Sequence, residues 1–152
     1  MRFARTCWIL ALPVLLAACA SDAPHHVFPP RASIQQLTIG PDGNWQLQLR
    51  IQNYSEVSET FAKVDAKIEI AGKDAGHVTT SPAMRIGPES VDVVETTLTP
   101  APDAKAAVAA LHAGSIRYKL AGHISTSDPA GEHDYTFEGE LSPIPGLSGV
   151  LR

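Results

Sequence analysis

Strict alternation of apolar and charged residues constrains the fold of this chain more than any other feature. In the stretch AKVDAKIEI, every second residue is apolar and the residues between are charged. The apolar set is Ala62, Val64, Ala66, Ile68 and Ile70. Because successive side chains of a strand point to opposite faces of a sheet, the pattern predicts a strand with one buried and one wet face. Such strands form antiparallel sheets, so the sequence predicts an all-β fold.

Similar alternation recurs along the chain, in WQLQLRI, IRYKLAGHI and YTFEGEL. In the first of these, Trp45, Leu47, Leu49 and Ile51 share one face. Turns rich in glycine separate the patterned segments, as in GPDG, GKDAG and GPE. The predicted strands are 33–39, 44–53, 61–71, 76–84, 90–98, 115–125 and 134–141. Seven short strands at this spacing predict a β-sandwich.

One segment, PDAKAAVAALHAG, has a helical pattern instead. Pro102 suits a first helical turn, and Gly114 suits a C-terminal cap. Ala104, Val108 and Leu111 lie on one side at helical spacing. The sequence therefore predicts a single short helix that packs on the sandwich and holds no cofactor.

The N-terminal segment has the layout of a secretory signal, in which basic residues precede a short apolar stretch. The 12 residues from Cys7 to Ala18 are too few for a permanent membrane helix, which needs about 20. Leu16-Ala17-Ala18-Cys19 resembles the lipobox of bacterial lipoproteins. The resemblance implies cleavage between Ala18 and Cys19 and attachment of acyl chains, such as palmitate, to Cys19. An ordinary signal peptide with an incidental cysteine is the alternative.

Removal of such a signal changes the chemistry open to the rest of the chain. Cys7 leaves with the signal and Cys19 carries lipid, so the mature domain has no free thiol for a disulfide, catalysis or metal binding. Loss of Arg2 and Arg5 leaves 10 basic and 16 acidic residues, a net charge of about −6. An acidic domain lacks the basic surface that binds nucleic acid. Ala20 follows the cysteine where aspartate would signal inner-membrane retention, which favours the outer membrane of a Gram-negative cell, facing the periplasm.

Residues 19–31 are polar and rich in proline, which predicts a flexible tether of up to about 40 Å. His25 and His26 lie in this tether, and an incidental polar pair is the better interpretation than a metal site because no third ligand has a fixed spacing.

Elsewhere the search for a catalytic or metal site finds only weak candidates. The nucleophile motif G-x-S-x-G is absent. Glu132, His133 and Asp134 are adjacent, but strand alternation would point His133 away from its neighbours, and a solvated hairpin loop is the better interpretation. Serines near histidines in sequence are interpreted as surface residues; these are Ser115, Ser125, Ser127, His112 and His123. The sequence predicts no enzyme, no cofactor and no metal, and leaves binding residues unknown.

The order of these segments resembles the late embryogenesis abundant group 2 family, also called the WHy (water stress and hypersensitive response) domain. The resemblance covers residues 32–142 and leaves 143–152 as a C-terminal tail. Its parts are LQLRIQNYSE, FAKVDAKIEIAGKDAG, RIGPESVDVVETTL, VAALHAGSIRYKLAGHI and YTFEGEL. It implies a seven-stranded immunoglobulin-like or fibronectin III-like sandwich without catalytic residues. The family usually has Asn-Pro where this chain has Asn53-Tyr54, and an asparagine-led turn is expected there.

Three functions follow as expectations. The first is a lipid-anchored, non-enzymatic module that protects or interacts at the cell envelope under stress such as desiccation. The second is a carrier that holds a lipid or another apolar ligand between the two sheets. The third is an accessory subunit of an envelope assembly, paired with an envelope protein through an edge strand.

Overall fold

A computed structural model describes residues 25–152, which form two antiparallel sheets packed as a sandwich, with one helix. The all-β sandwich prediction is therefore confirmed. The predicted signal segment 1–18, the predicted cleavage site at Ala18 and the predicted lipid attachment site at Cys19 lie outside the described residues. The elements are β1 (Arg31–Ile39), β2 (Trp45–Gln52), β3 (Glu59–Ile70), β4 (Lys73–Thr80), β5 (Met84–Ile86), β6 (Val91–Leu98), α1 (Pro102–Ala109), β7 (Ile116–Asp128), β8 (Ala130–Leu141) and β9 (Val150–Leu151).

The first sheet has the order β6-β2-β1-β9, and the second has the order β4-β3-β7-β8 with β5 also paired to β3. The described residues thus contain nine strands rather than the seven predicted. The predicted strand 76–84 is divided into β4 and β5, because Pro82 has no amide hydrogen to donate and Ala83 has a φ of 48°. Strand β9 is only two residues long and pairs with Leu37 and Thr38 of β1, so alternation could not reveal it.

The hairpin between β3 and β4 is tighter than predicted. Its turn consists of Ala71 and Gly72, with φ values of 50° and 72°, so both have the left-handed backbone of a type I′ turn. The predicted turn segment 72–76 is mostly part of β4. Ala75 is an extra residue in that strand, because Ile68 pairs with Gly76 and Glu69 pairs with Asp74.

The core lies between the sheets and follows the predicted alternation closely. Trp45, Leu47, Leu49 and Ile51 of β2 are buried, as are the inward residues of β3 from Val64 onward. Each large side chain buried in this way contributes roughly 1.5–3 kcal/mol. One predicted position differs, because Ala62 is a bulge residue between the Phe61–Thr126 and Lys63–Ser125 pairs. The bulge lets Phe61 point inward, and Phe61 is completely buried.

Two tyrosine–glycine pairs shape the hairpin of β7 and β8. Tyr118 lies opposite Gly139, and Tyr135 lies opposite Gly122. A Cβ on Gly139 would come within 2.8 Å of the Tyr118 ring, and a Cβ on Gly122 within 2.0 Å of the Asp65 carbonyl oxygen. The clash with backbone means that position 122 requires glycine, whereas a larger residue at position 139 would displace the Tyr118 ring. Burial raises the pKa of each tyrosine hydroxyl.

The Tyr118 hydroxyl joins the two sheets. It accepts a hydrogen bond from the amide of Ile34 at 3.1 Å and lies 3.4 Å from the Ile34 carbonyl oxygen. The pairing of β9 with β1 covers only Leu37 and Thr38, so Tyr118 provides a partner for the backbone of β1 beyond the end of β9.

The helix packs on β4 and β3 through the buried side chains of Ala104 and Val108, as predicted, but Leu111, the third residue of the predicted apolar side, lies after the end of the helix. It begins at Pro102 but ends at Ala109, with Ala110 as its cap. The predicted cap, Gly114, instead lies in the loop before β7 with a φ of 83°. Within residues 25–152, no helix has the length and apolar character needed to cross a bilayer.

Candidate functional site

The loop that carries the chain from β2 in the first sheet to β3 in the second, together with the first residue of β3, contains three polar side chains that are completely buried. These are Asn53 and Ser55, in the loop, and Glu59, at the first position of β3. Burying a polar group is unfavourable unless the group finds a hydrogen-bond partner. The crossing loop is therefore the part of the sandwich where specific polar contacts determine the conformation.

Asn53 organises this loop. Its side-chain oxygen accepts a hydrogen bond from the amide of Ser55 at 2.8 Å, which confirms the expected asparagine-led turn. Its side-chain nitrogen donates to the carbonyl oxygens of Val57 at 2.8 Å and Gly87 at 2.9 Å. Its own amide donates to the Ser90 carbonyl oxygen at 2.9 Å. Asn53 thus ties the crossing loop to the turn between β5 and β6, and an asparagine-led turn forms although Tyr54, not proline, follows Asn53.

Ser55 connects the loop to the segment that precedes β1. Its hydroxyl accepts a hydrogen bond from the amide of Phe28 at 2.8 Å. The hydroxyl hydrogen can be donated either to Glu59 Oε1 at 3.0 Å or to the Phe28 carbonyl oxygen at 3.2 Å. Among the described residues, Glu59 Oε2 has no hydrogen-bond partner.

His26 extends the contact between the same two segments. The amide of Glu56 donates to the His26 carbonyl oxygen at 3.0 Å, and the His26 amide donates to Glu56 Oε2 at 3.0 Å. The hydrogen bonds from the backbone and ring of His26 lower the pKa of the Glu56 carboxyl. Within the predicted tether 19–31, the stretch from His26 to Phe28 is therefore hydrogen-bonded to the domain.

An apolar surface lies over this loop, and we call it the tether-end patch. It consists of Val27, Phe28, Pro29, Arg31 and Tyr54. Val27, Phe28 and Tyr54 are 50%, 46% and 39% exposed. The His26 ring stacks on Phe28 with ring centroids 6.0 Å apart, and the Arg31 guanidinium lies 5.8 Å from the centre of the Tyr54 ring. Phe28, Pro29, Arg31 and Tyr54 line a shallow cleft of about 480 Å³.

The outer face of the second sheet carries a second polar cluster, centred on His123. Its Nδ1 lies 2.9 Å from Asp134 Oδ1, and its Nε2 contacts Glu132. The hydrogen bonds with Asp134 and then Glu132 raise the pKa of His123. The prediction of a hairpin loop at 132–134 is wrong, because these residues belong to β8. His133 lies opposite the buried Ile124 and so points away from its two neighbours, as predicted.

A neighbouring cluster on the same face contains Asp65, which is cross-strand partner to His123. Its carboxylate contacts His77 Nε2 at 2.6 Å and accepts a hydrogen bond from Thr79 at 2.9 Å. Desolvation alone would raise the pKa of Asp65, but the hydrogen bonds from His77 and Thr79 outweigh it, and the pKa lies below its usual value. In residues 25–152, no group of three histidine, cysteine or acidic side chains is arranged to hold a metal ion.

The remaining candidate residues are dispersed. His112 Nδ1 lies 2.8 Å from the carbonyl oxygen of Ala110, just after the helix. Ser115 donates to Glu140 at 2.7 Å, and the hydroxyl of Ser127 lies 3.5 Å from the Thr60 carbonyl oxygen. Ser125 pairs across the sheet with Lys63 and Glu132. These contacts give His112, Ser115 and Ser127 local partners within the fold.

The substitution Asn53→Ala is expected to lower the free energy of unfolding by about 3 kcal/mol, because it leaves buried backbone groups without partners. The matched control is Asn44→Ala. The Asn44 side chain makes its hydrogen bonds with Asp42 and Thr99, both of them exposed, so this substitution should cost about 0.5 kcal/mol or less. Urea denaturation measured through the fluorescence of the buried Trp45 tests both. Equal losses for the two variants would contradict the role given to Asn53.

His123 is expected to titrate above its usual pKa of about 6.5 in the folded protein. Because the folded-state pKa is raised, the His123 contacts stabilise the fold fully below the unfolded pKa, and this contribution is lost as the pH rises through the folded pKa. Titration of the imidazole by NMR tests this. Asp134→Asn should move the midpoint downward, whereas the control Glu138→Gln, beside Lys119, should not. An unchanged midpoint in Asp134→Asn would contradict the assignment.

Comparison with known proteins adds little to this description. No family model matches the chain, and no curated protein matches it. Among solved structures, the chain is similar to AT1g01470 from Arabidopsis thaliana, with 12% identity over 82% of this chain and 84% of that chain and a TM-score of 0.47. It is also similar to a protein from Archaeoglobus fulgidus, with 12% identity over 78% of this chain and 98% of that chain and a TM-score of 0.41. Similarity at this level carries no information about activity.

Proposed function

We propose that this protein is a lipid-anchored envelope protein whose sandwich is a non-enzymatic module of the late embryogenesis abundant group 2, or WHy, type. Its role in this proposal is protection or interaction at the envelope under water stress. The proposal is supported by the place at which the N-terminal segment meets the domain. His26 and Phe28 are hydrogen-bonded to the crossing loop at one end of the sandwich, so His26, seven residues after Cys19, lies at that end.

The charged outer face of the second sheet supports the protective role. Oppositely charged residues face one another across its strands, as in Arg117 with Glu140 and Lys119 with Glu138. Such exposed pairs contribute little to stability, but a surface of mixed charge is strongly hydrated and keeps a protein soluble at high concentration. A protective protein must stay folded and soluble while water is withdrawn.

The packing between the sheets argues against the alternative in which the protein carries a lipid between them. Trp45, Phe61, Leu47, Ile68 and Leu120 fill the space where a lipid chain would lie, and each is at most 1% exposed. Holding a lipid there would require the two sheets to separate and these contacts to be lost. The observations therefore favour the anchored module over the carrier.

Anchoring is tested by substitution of the lipidated residue. In protein purified from cells, Cys19→Ser is expected to remove the mass that the acyl chains add. The variant should also be absent from the membrane fraction, because the acyl chains are the anchor. Cys7→Ser is the matched control and should leave both properties unchanged, since Cys7 belongs to the removed signal. If Cys19→Ser keeps the lipid-dependent mass and the membrane association of the unaltered protein, or if the unaltered protein itself carries no lipid, Cys19 is not an attachment site.

Protection is tested by drying a labile enzyme with the purified protein. We expect the enzyme to keep more activity after rehydration than it does with the same mass of albumin. A variant with Lys119→Gln and Glu138→Gln keeps the net charge but removes a charged pair, and it should protect less well if the charged face acts as proposed. Protection no better than that by albumin would contradict the protective role and leave the anchoring result unaffected.

A further inference from the structure

The exposed apolar residues of this domain are concentrated at one end. Among residues 25–152, the large apolar side chains with substantial exposure are Val27, Phe28, Tyr54, Val91 and Leu147. The first three belong to the tether-end patch, and Val91 lies at the same end, because it pairs with Gln52 at the end of β2. Only Leu147 lies at the opposite end, in the loop before β9. Clustered exposed apolar residues mark an interaction surface.

The exposure of the patch is built into the fold. Tyr54 stands between Asn53 and Ser55, which are both completely buried, so its ring must point outward. The backbone of Phe28 is held at this end by the buried hydroxyl of Ser55, and its ring is 46% exposed. The polar contacts of the crossing loop therefore fix the backbone from which two exposed aromatic rings project.

The position of the patch along the chain indicates what covers it. Val27 follows Cys19 by eight residues, which span at most about 28 Å. A protein whose Cys19 is anchored in a bilayer therefore keeps the patch close to that bilayer. Aromatic rings with a polar edge, such as the Tyr54 phenol, are favoured where hydrocarbon meets headgroups.

We propose that the tether-end patch rests in the headgroup region of the membrane that holds Cys19, with Phe28 and Tyr54 inserted beside the headgroups and Arg31 near lipid phosphate. This proposal rests on the lipid anchor proposed above. It orients the sandwich, since the helix α1 and Leu147 then lie at the end away from the membrane.

The charges at this end select the kind of lipid surface. Arg31 can meet a phosphate, but Glu56 and Glu89 lie in the neighbouring loops and oppose a strongly anionic surface. The Glu56 carboxylate already accepts hydrogen bonds from His26. The patch is therefore suited to zwitterionic headgroups, in which a phosphate and a cationic amine are both present.

Quenching by brominated lipid tests the proposed orientation. Full-length lipidated protein is reconstituted in vesicles of phosphatidylcholine and phosphatidylethanolamine that contain bromine-labelled acyl chains. The tryptophan introduced by Phe28→Trp is expected to lose most of its added fluorescence. The matched control is Leu147→Trp, at the opposite end, which should lose none. The buried Trp45 is common to both variants, and its emission reports that each is folded.

Flotation of the vesicles separates the two proposals. If the protein does not float with the vesicles, the lipid anchor itself fails. If the protein floats but the tryptophan from Phe28→Trp is not quenched, or both tryptophans are quenched equally, the anchor stands and the membrane contact of the patch is overturned. Crosslinking of Tyr54 to a protein in native membranes, without quenching in vesicles, would also overturn it.

Discussion

The crossing between the two sheets is the constraint on which the rest of this structure depends. A chain that leaves β2 and enters β3 must cross the end of the sandwich, where some of its polar groups, those of Asn53 and Ser55 among them, become buried and need partners. Asn53 satisfies several of these groups at once, since it reaches the amide of Ser55 and the carbonyl oxygens of Val57 and Gly87. Its contacts hold together the ends of three strands, β2, β3 and β6, and with them the alignment of the two sheets at that end.

The same loop links the fold to the proposed function. Ser55 uses its buried hydroxyl to hold the segment that leads toward Cys19, and the burial of Asn53 and Ser55 directs Tyr54 outward. The two ends of the sandwich therefore differ. One end carries the attached segment and the tether-end patch, and the other carries the helix and the loop before β9. An anchored module with an apolar membrane-facing end needs this difference between its two ends.

Sequence patterns predicted the strands well because alternation is a local property. The buried faces of β2 and β3 were evident from single stretches, and the helix was evident from its alanine-rich spacing. The errors occurred where local pattern is weak. The bulge at Ala62 shifts the inward face to Phe61, and the pair Pro82 and Ala83 divides one predicted strand. The polar composition of residues 132–134 predicts a loop, although these residues form part of β8.

The sequence by itself determined the all-β class, the faces of the main strands and the asparagine-led turn at Asn53. It also predicts a lipid anchor at Cys19. Tertiary structure alone decided which distant groups meet: Phe28 with Ser55, His123 with Glu132 and Asp134, and the two residues of β9 with β1. The physical reason is that periodicity reflects burial along one segment. Hydrogen bonds between segments far apart in the chain leave no periodic trace, and they form only once the sheets have packed.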